Sequence, residues 1–179
     1  MSHAITYDKE FKGIKTIAPG EYENCTFVNC DLANTDLSNI SFTDCEFKNC
    51  DMSMAKVNQT AFRTVGFENC KLLGLRFGAC NPFLLNFTFN SCVLNYSSFY
   101  QLKLKNFYLQ NCKLEEVEFI KTDLTNARLI NCDFDRAVFE NTVLNKADLR
   151  TSYNYSINPE FNQMSRTKFS LASVPGLAR

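Results

Sequence analysis

Nine cysteines are the side chains of widest chemical reach in this sequence, since a thiolate can act as nucleophile, metal ligand or redox partner. Six of them keep a strict rhythm. Cys30, Cys50 and Cys70 are spaced by 20, as are Cys92, Cys112 and Cys132, and the step from Cys70 to Cys92 is 22. The partners that thiol chemistry needs do not accompany them. The only histidine, His3, lies in the leader ahead of the rhythm, so no Cys–His or Ser–His nucleophile arrangement can exist. No Cys/His zinc spacing and no glycine-rich phosphate loop occurs. Carboxylates are plentiful, yet the pattern sets no pair of them apart. The sequence therefore predicts no catalytic residue, no cofactor and no metal site, and the thiols call for a structural reason.

That reason is a period of five. Stepping from Tyr22 by five residues meets Phe27, Leu32, Leu37, Phe42, Phe47, Met52, Val57, Phe62, Phe67, Leu72 and Phe77; after a slip of two, the steps resume from Leu84 through Phe89 to Leu149. Of these 26 positions 23 are Leu or Phe, far beyond their share of the chain. A period of five belongs neither to a helix nor to a strand. It requires a chain that turns a corner every five residues and points one side chain inward each time, a unit that must stack on copies of itself. Two residues before each centre sits a small or apolar residue, and eight of the nine cysteines fall there, Cys80 in the phase break being the exception. Cysteine packs well there as a small hydrophobe. With no export signal, a reducing compartment and free thiols are expected.

Stretches such as CDFDR, ADLRT and TDLTN give the pattern its resemblance to the pentapeptide-repeat family, over residues 22–150. The resemblance implies an all-β fold, a right-handed quadrilateral β-helix with four pentapeptides per coil. Residues 20 apart then stack, so the six cysteines form one ladder and Phe27, Phe47, Phe67 and Phe89 another on the neighbouring face. About 26 pentapeptides make six to seven coils, and a strand spacing of ~4.8 Å gives a rod roughly 30 Å long. Residues 1–21 read as an N-terminal cap in which Phe11, Ile14 and Ile17 cover the first coil. Residues 151–179 read as a C-terminal cap containing a short helix, with Asn158 as N-cap, Pro159 at the first helical position and an end near Ser165. Phe161, Phe169 and Leu171 in this segment are available either to the cap alone or to a homodimer contact. The register break at 78–83 is either a tolerated bulge or a recognition feature that displays Phe83.

Composition narrows the setting. A chain of 179 residues fits one domain, and 19 acidic against 19 basic residues demand neither nucleic acid nor an anionic membrane as partner. No apolar run approaches the ~20 residues of a membrane helix, and the N-terminus is unlike a secretory signal, so a cytoplasmic protein is expected. The charges are segregated along the chain. Residues 21–51 hold seven acids and one base, residues 56–113 seven bases and one acid, and residues 115–148 eight acids and four bases. Within the family the layout resembles the quinolone-resistance and microcin B17 immunity branch, most of all in INPEFN at 157–162. That resemblance implies a DNA-mimic-like binder of DNA gyrase or topoisomerase IV. The neutral charge and the basic middle depart from it. The reading favoured by the residues is a non-enzymatic protein-interaction scaffold whose partner is not specified, with topoisomerase binding as the alternative.

Overall fold

The computed structural model describes residues 4–177; His3 lies outside them. Ten short strands run in chain order: β1 (Ile5–Tyr7), β2 (Glu10–Lys12), β3 (Glu21–Glu23), β4 (Thr26–Val28), β5 (Ser41–Thr43), β6 (Glu46–Lys48), β7 (Ala61–Glu68), β8 (Asn86–Asn90), β9 (Tyr108–Gln110) and β10 (Arg128–Ile130). All belong to one parallel sheet, wound into a β-solenoid of about six turns. Phe27 pairs with Phe47 and Phe47 with Phe67, a register of 20. The faces without strands keep that register through isolated parallel bridges such as Asp31↔Asp51, Asp36↔Lys56 and Lys113↔Asp133.

Each pentapeptide turns because the residue two after its centre is left-handed. Twenty-six non-glycine residues have positive φ, nearly all at this position, and 12 of them are Asn. Asn tolerates that region because its short polar side chain can hydrogen-bond the local backbone and so offset the clash of its Cβ. Where the corner is tight, a turn hydrogen bond closes it, as from Thr35 N to Leu32 O (3.2 Å) and from Ala127 N to Leu124 O (3.0 Å); positive φ at the third turn residue is the type II geometry. Inward-pointing centres then stack. Phe27–Phe47, Phe47–Phe67 and Phe67–Phe89 lie 4.7, 5.2 and 4.9 Å apart with nearly parallel rings. Past the break the aromatic stack moves to another face, with Phe77–Phe99 at 4.8 Å and Phe99–Phe119 at 5.2 Å.

The break is not the simple slip that counting implies. Asn81 N bonds Thr60 O just as Ala61 N bonds Ile40 O, so the register of 20 still holds at Asn81. Arg63 then pairs with Asn86, a register of 23, and Val65 with Phe87, a register of 22. Three residues are inserted before Asn86, and one corner residue is dropped after it. Leu84, which fits the centre position by counting, is therefore thrown outward with φ 54°. Phe87 fills the vacated space from the small-residue position, with its ring 5.3 Å from Phe77 and 5.1 Å from Phe89. Cys80 continues the small-residue column of the first half and is buried like the other eight thiols.

The ends also differ from expectation. Thr6 pairs with Tyr22 and Phe11 with Phe27, so residues 4–20 form a shortened coil with a register of 16. Ile17 is buried beneath it, and Phe11 and Ile14 pack partly buried on the core. No helix forms over 158–165. Asn158 Oδ1 accepts a hydrogen bond from Glu160 N, a local turn, and the chain keeps coiling so that Gln163 bridges Val143 and Lys168 bridges Asp148. Backbone partners on the coil below compete successfully with a short helix that would have none. The short C-terminal helix forms later, as a 3₁₀ helix at Leu171–Leu177, and Ile157 N bonds Gly176 O.

Thr64 is the one β-branched residue held left-handed, at φ 55°. Thr64→Asn should raise stability by about 1 kcal/mol, because that strain is removed and no buried contact is lost. Urea unfolding checks this; an unchanged or lower midpoint would mean that the corner is not strained.

Candidate functional site

The thiols point inward and are held there by hydrogen bonds. Cys50, Cys70 and Cys92 donate to the carbonyls of Phe27, Phe47 and Phe67 at 3.3, 3.3 and 3.4 Å. Each is the carbonyl of a centre residue one coil earlier. The same column on other faces carries hydroxyls doing the same. Thr60 reaches Leu37 O at 2.8 Å, Ser97 reaches Leu72 O at 2.8 Å and Thr122 reaches Phe99 O at 2.9 Å, and Ser152, which follows Cys132 in the ladder itself, reaches Leu129 O at 2.7 Å. Where the position is Cys, Ser or Thr the side chain serves as a donor as well as a filler, while Ala55, Ala127, Ala137 and Ala147 only fill it. Sequence reading missed this, although the prevalence of Cys, Ser and Thr over Gly there was a usable signal.

Burial by itself disfavours the thiolate form. It pushes Cys45 up to about 11 and Cys80 up to about 12. Hydrogen bonding to the neighbouring rung, with burial added, pushes Cys50 and Cys132 up as well. Cys70 and Cys112, which take hydrogen bonds from the rungs on either side, are where a charge in the ladder would be best tolerated. All remain sealed from solvent, and among the described residues no group of three His, Cys, Asp or Glu side chains could hold a metal ion.

Anything that recognises a partner must therefore lie outside. Acidic residues occupy all four faces: Glu21 and Asp123 on one, Glu46 and Asp148 on the next, Asp31, Asp51 and Asp133 on the third, Asp36 and Glu118 on the fourth. Many of these carboxylates serve the backbone. Asp36, Asp51, Asp123 and Asp148 each accept the N–H two residues on, at 2.9 to 3.1 Å. The basic middle wraps the rod in the same way, with Lys56 and Arg76 on one face, Lys71 and Lys113 on another, and Arg63 and Lys103 on a third.

Large apolar groups are displayed at several places, Met54, Tyr96 and Tyr153 among them, and two of these places hold the residues expected to serve recognition. At the break, Phe83 and Leu84 are 65% and 66% exposed. The insertion is braced by a hydrogen bond from Phe83 N to Asn81 Oδ1 (2.9 Å), and the Arg63 guanidinium lies 5.7 Å from the Phe83 ring centre. At the C-terminal end Phe161 and Leu171 are 59% and 92% exposed, while Phe169 is half-buried with its ring 5.7 Å from Tyr155. These two places lie far apart along the chain, and no contact joins them. Phe27, Phe47, Phe67 and Phe89 and the six ladder cysteines are buried in the core.

Sequence models of pentapeptide repeats match residues 21–99 and 40–119 as a pentapeptide repeat region, and residues 104–141 and 122–152 as runs of pentapeptide repeats. The chain belongs to the pentapeptide-repeat family. Among solved structures, this pentapeptide-repeat protein is similar to trypsin-treated QnrB1, described as a plasmid-mediated fluoroquinolone resistance protein. The identity is 18% and the TM-score 0.56, over 96% of this chain and 92% of that one. A second trypsin-treated form gives 17% and 0.56, over 96% and 93%. HetL, a pentapeptide repeat protein involved in heterocyst differentiation regulation from the cyanobacterium Nostoc sp. Strain PCC 7120, aligns at 14% identity and a TM-score of 0.43 over 94% of this chain and 85% of that one. At these identities the likeness is one of fold. A search of curated proteins found no match.

The buried thiols of this pentapeptide-repeat protein give a pH dependence. A thiol whose folded pKa is raised stays protonated in the fold and ionises on unfolding, so the unfolded state binds fewer protons and stability falls as pH rises. The window opens near 9.0, the ordinary thiol value, and extends through about 12 at Cys80. Burial of Tyr22 and Tyr155 raises their phenols and adds in the same direction. The urea midpoint should decline from pH 9 to 11, less steeply in Cys80→Ala. A rising midpoint over that range would contradict sealed thiols.

Proposed function

We propose that this protein is a non-enzymatic protein-interaction scaffold that acts in the cytoplasm. The observation that carries the reading is the division of the side chains. Every thiol fills the core and eight of the nine hydrogen-bond backbone there, while the displayed groups are apolar and charged side chains on rigid columns. Rigid columns suit recognition, because little side-chain or loop ordering opposes binding. No helix among the described residues is long and apolar enough to cross a membrane.

A second reading, binding to DNA gyrase or topoisomerase IV, is favoured by one observation, the fold shared with QnrB1 over nearly the whole chain. Mimicry of duplex DNA asks for a continuous acidic face, since charge dominates DNA binding. Here the acids are spread over four faces, several fold back on their own backbone, and a basic belt interrupts them. These facts favour the unspecified scaffold. Gyrase supercoiling, with and without a fluoroquinolone, decides between the readings when the purified protein is titrated. No effect at up to tens of micromolar protein is expected. Protection or inhibition at micromolar or lower protein would install the topoisomerase reading instead.

The C-terminal end supports self-association, since Phe161 and Leu171 leave more apolar surface uncovered than one coil end requires. Sedimentation equilibrium is expected to show a dimer that Leu171→Asp converts to monomer without loss of folded structure. A wild-type monomer at 100 micromolar would remove the dimer from the proposal.

A further inference from the structure

Gly66 has no structural reason to be glycine. Its φ is not positive, and a Cβ built on it would meet only Thr88 Oγ1, at an ordinary 3.8 Å. It stands in an outward column that reads Glu10, Thr26, Glu46, Gly66, Thr88, Tyr108 and Arg128 along the rod. Glycine inside a strand weakens it, and often marks a close approach by another molecule. The missing side chain leaves a notch. Two adjoining hollows of about 320 and 220 Å³ meet at Gly66, the first running from Asp44 and Glu46 to Asn86 and Thr88, the second bordered by Lys48 and Glu68.

Two neighbouring features say what fits. The rim carries the carboxylates of Asp44, Glu46 and Glu68 against one cation, Lys48, whose Nζ is already 2.8 Å from Glu46 Oε2. Asn86, on the wall of the first hollow, directly follows the inserted residues that hold Phe83 and Leu84 in solvent. A surplus of negative charge thus adjoins a notch with room for one long side chain, and a displayed apolar pair stands beside it. Both break the local rules of the repeat, a strand glycine and a left-handed leucine, and they do so on one edge of the solenoid.

We propose that this edge is the recognition site of the scaffold, and that it takes an extended segment of a partner protein bearing an arginine or lysine next to a large apolar residue. The cation seats in the notch at Gly66 among Asp44, Glu46 and Glu68, and the apolar neighbour packs on Phe83 and Leu84. The inference rests on the scaffold reading and gives that reading a site and a partner chemistry.

The test uses the whole protein and fluorescent nine-residue peptides whose central arginine is flanked by leucine, with citrulline or glutamate at the centre as comparators. The arginine peptide is expected to bind saturably, and the citrulline peptide about tenfold more weakly or not at all. Gly66→Tyr fills the notch with the residue that Tyr108 already places in that column. It should raise the Tm and weaken the arginine peptide at least about tenfold. Phe83→Ser, at an exposed position that leaves the core intact, should weaken it several-fold, and Lys168→Glu on a distant coil should leave it unchanged. Failure of the arginine peptide to bind, or equal binding to wild type and Gly66→Tyr, overturns the site. A partner cross-linked through another face, and retained by Gly66→Tyr, would sink the site while leaving the scaffold standing.

Discussion

The rise of one coil on the next governs everything else in this molecule. Parallel backbone hydrogen bonds fix neighbouring strands about 4.8 Å apart, and each inward column must then be filled by side chains that repeat comfortably at that distance. Flat aromatic rings do so when they stack, which is why Phe27, Phe47, Phe67 and Phe89 lie 4.7 to 5.2 Å apart with nearly parallel planes. A fully buried carbonyl on each coil imposes a second condition, since leaving it without a donor costs about 1–3 kcal/mol. The small column meets that condition where it carries Cys, Ser or Thr, and a backbone turn bond meets it at others, as from Ala55 N to Met52 O. Eight thiols on one inward position follow from geometry, because cysteine combines modest volume, low polarity and a weak donor.

The same logic reassigns the carboxylates. An Asp just before a centre looks like surface charge in the sequence, yet Asp36, Asp51, Asp123 and Asp148 turn an oxygen onto the backbone two residues later. Their first task is to hold the corner, and they recur on whichever face the repeat puts them. Surface charge in such a solenoid is therefore partly a by-product of turn chemistry. A phosphate-like face would need acids aligned on one side beyond those the corners use. Asp31 and Asp51 stack in register, but Lys71 follows them and ends the run.

The period of five, its inward centres and the stacking by 20 were legible because every coil repeats them, so local and global order agree. The misreadings cluster where that repetition lapses. Counting put Leu84 at a centre because an insertion of three and a deletion of one leave a net slip of two; only the pairing of Arg63 with Asn86 separates them. Cys80 looked exceptional for the same reason. The Asn158-Pro159 pair has the chemistry of a helix start, but an isolated helix of two turns is marginal, whereas Gln163 and Lys168 find ready backbone partners on the preceding coil. Gly66 drew no notice, since a lone glycine becomes conspicuous only once its column and its free space are visible.

Those lapses are also where the solenoid has most freedom to differ from its own consensus. A regular coil offers a partner four similar faces and nothing to distinguish one level from the next. Recognition at a defined place needs an irregularity, and an irregularity weakens the stacking on which stability rests. The break tolerates this because Phe87 restores the aromatic contact that the missing centre would have made, touching Phe62, Phe77, Phe89, Phe99 and Phe107. With the core repaired from the inside, Phe83 and Leu84 can remain outside.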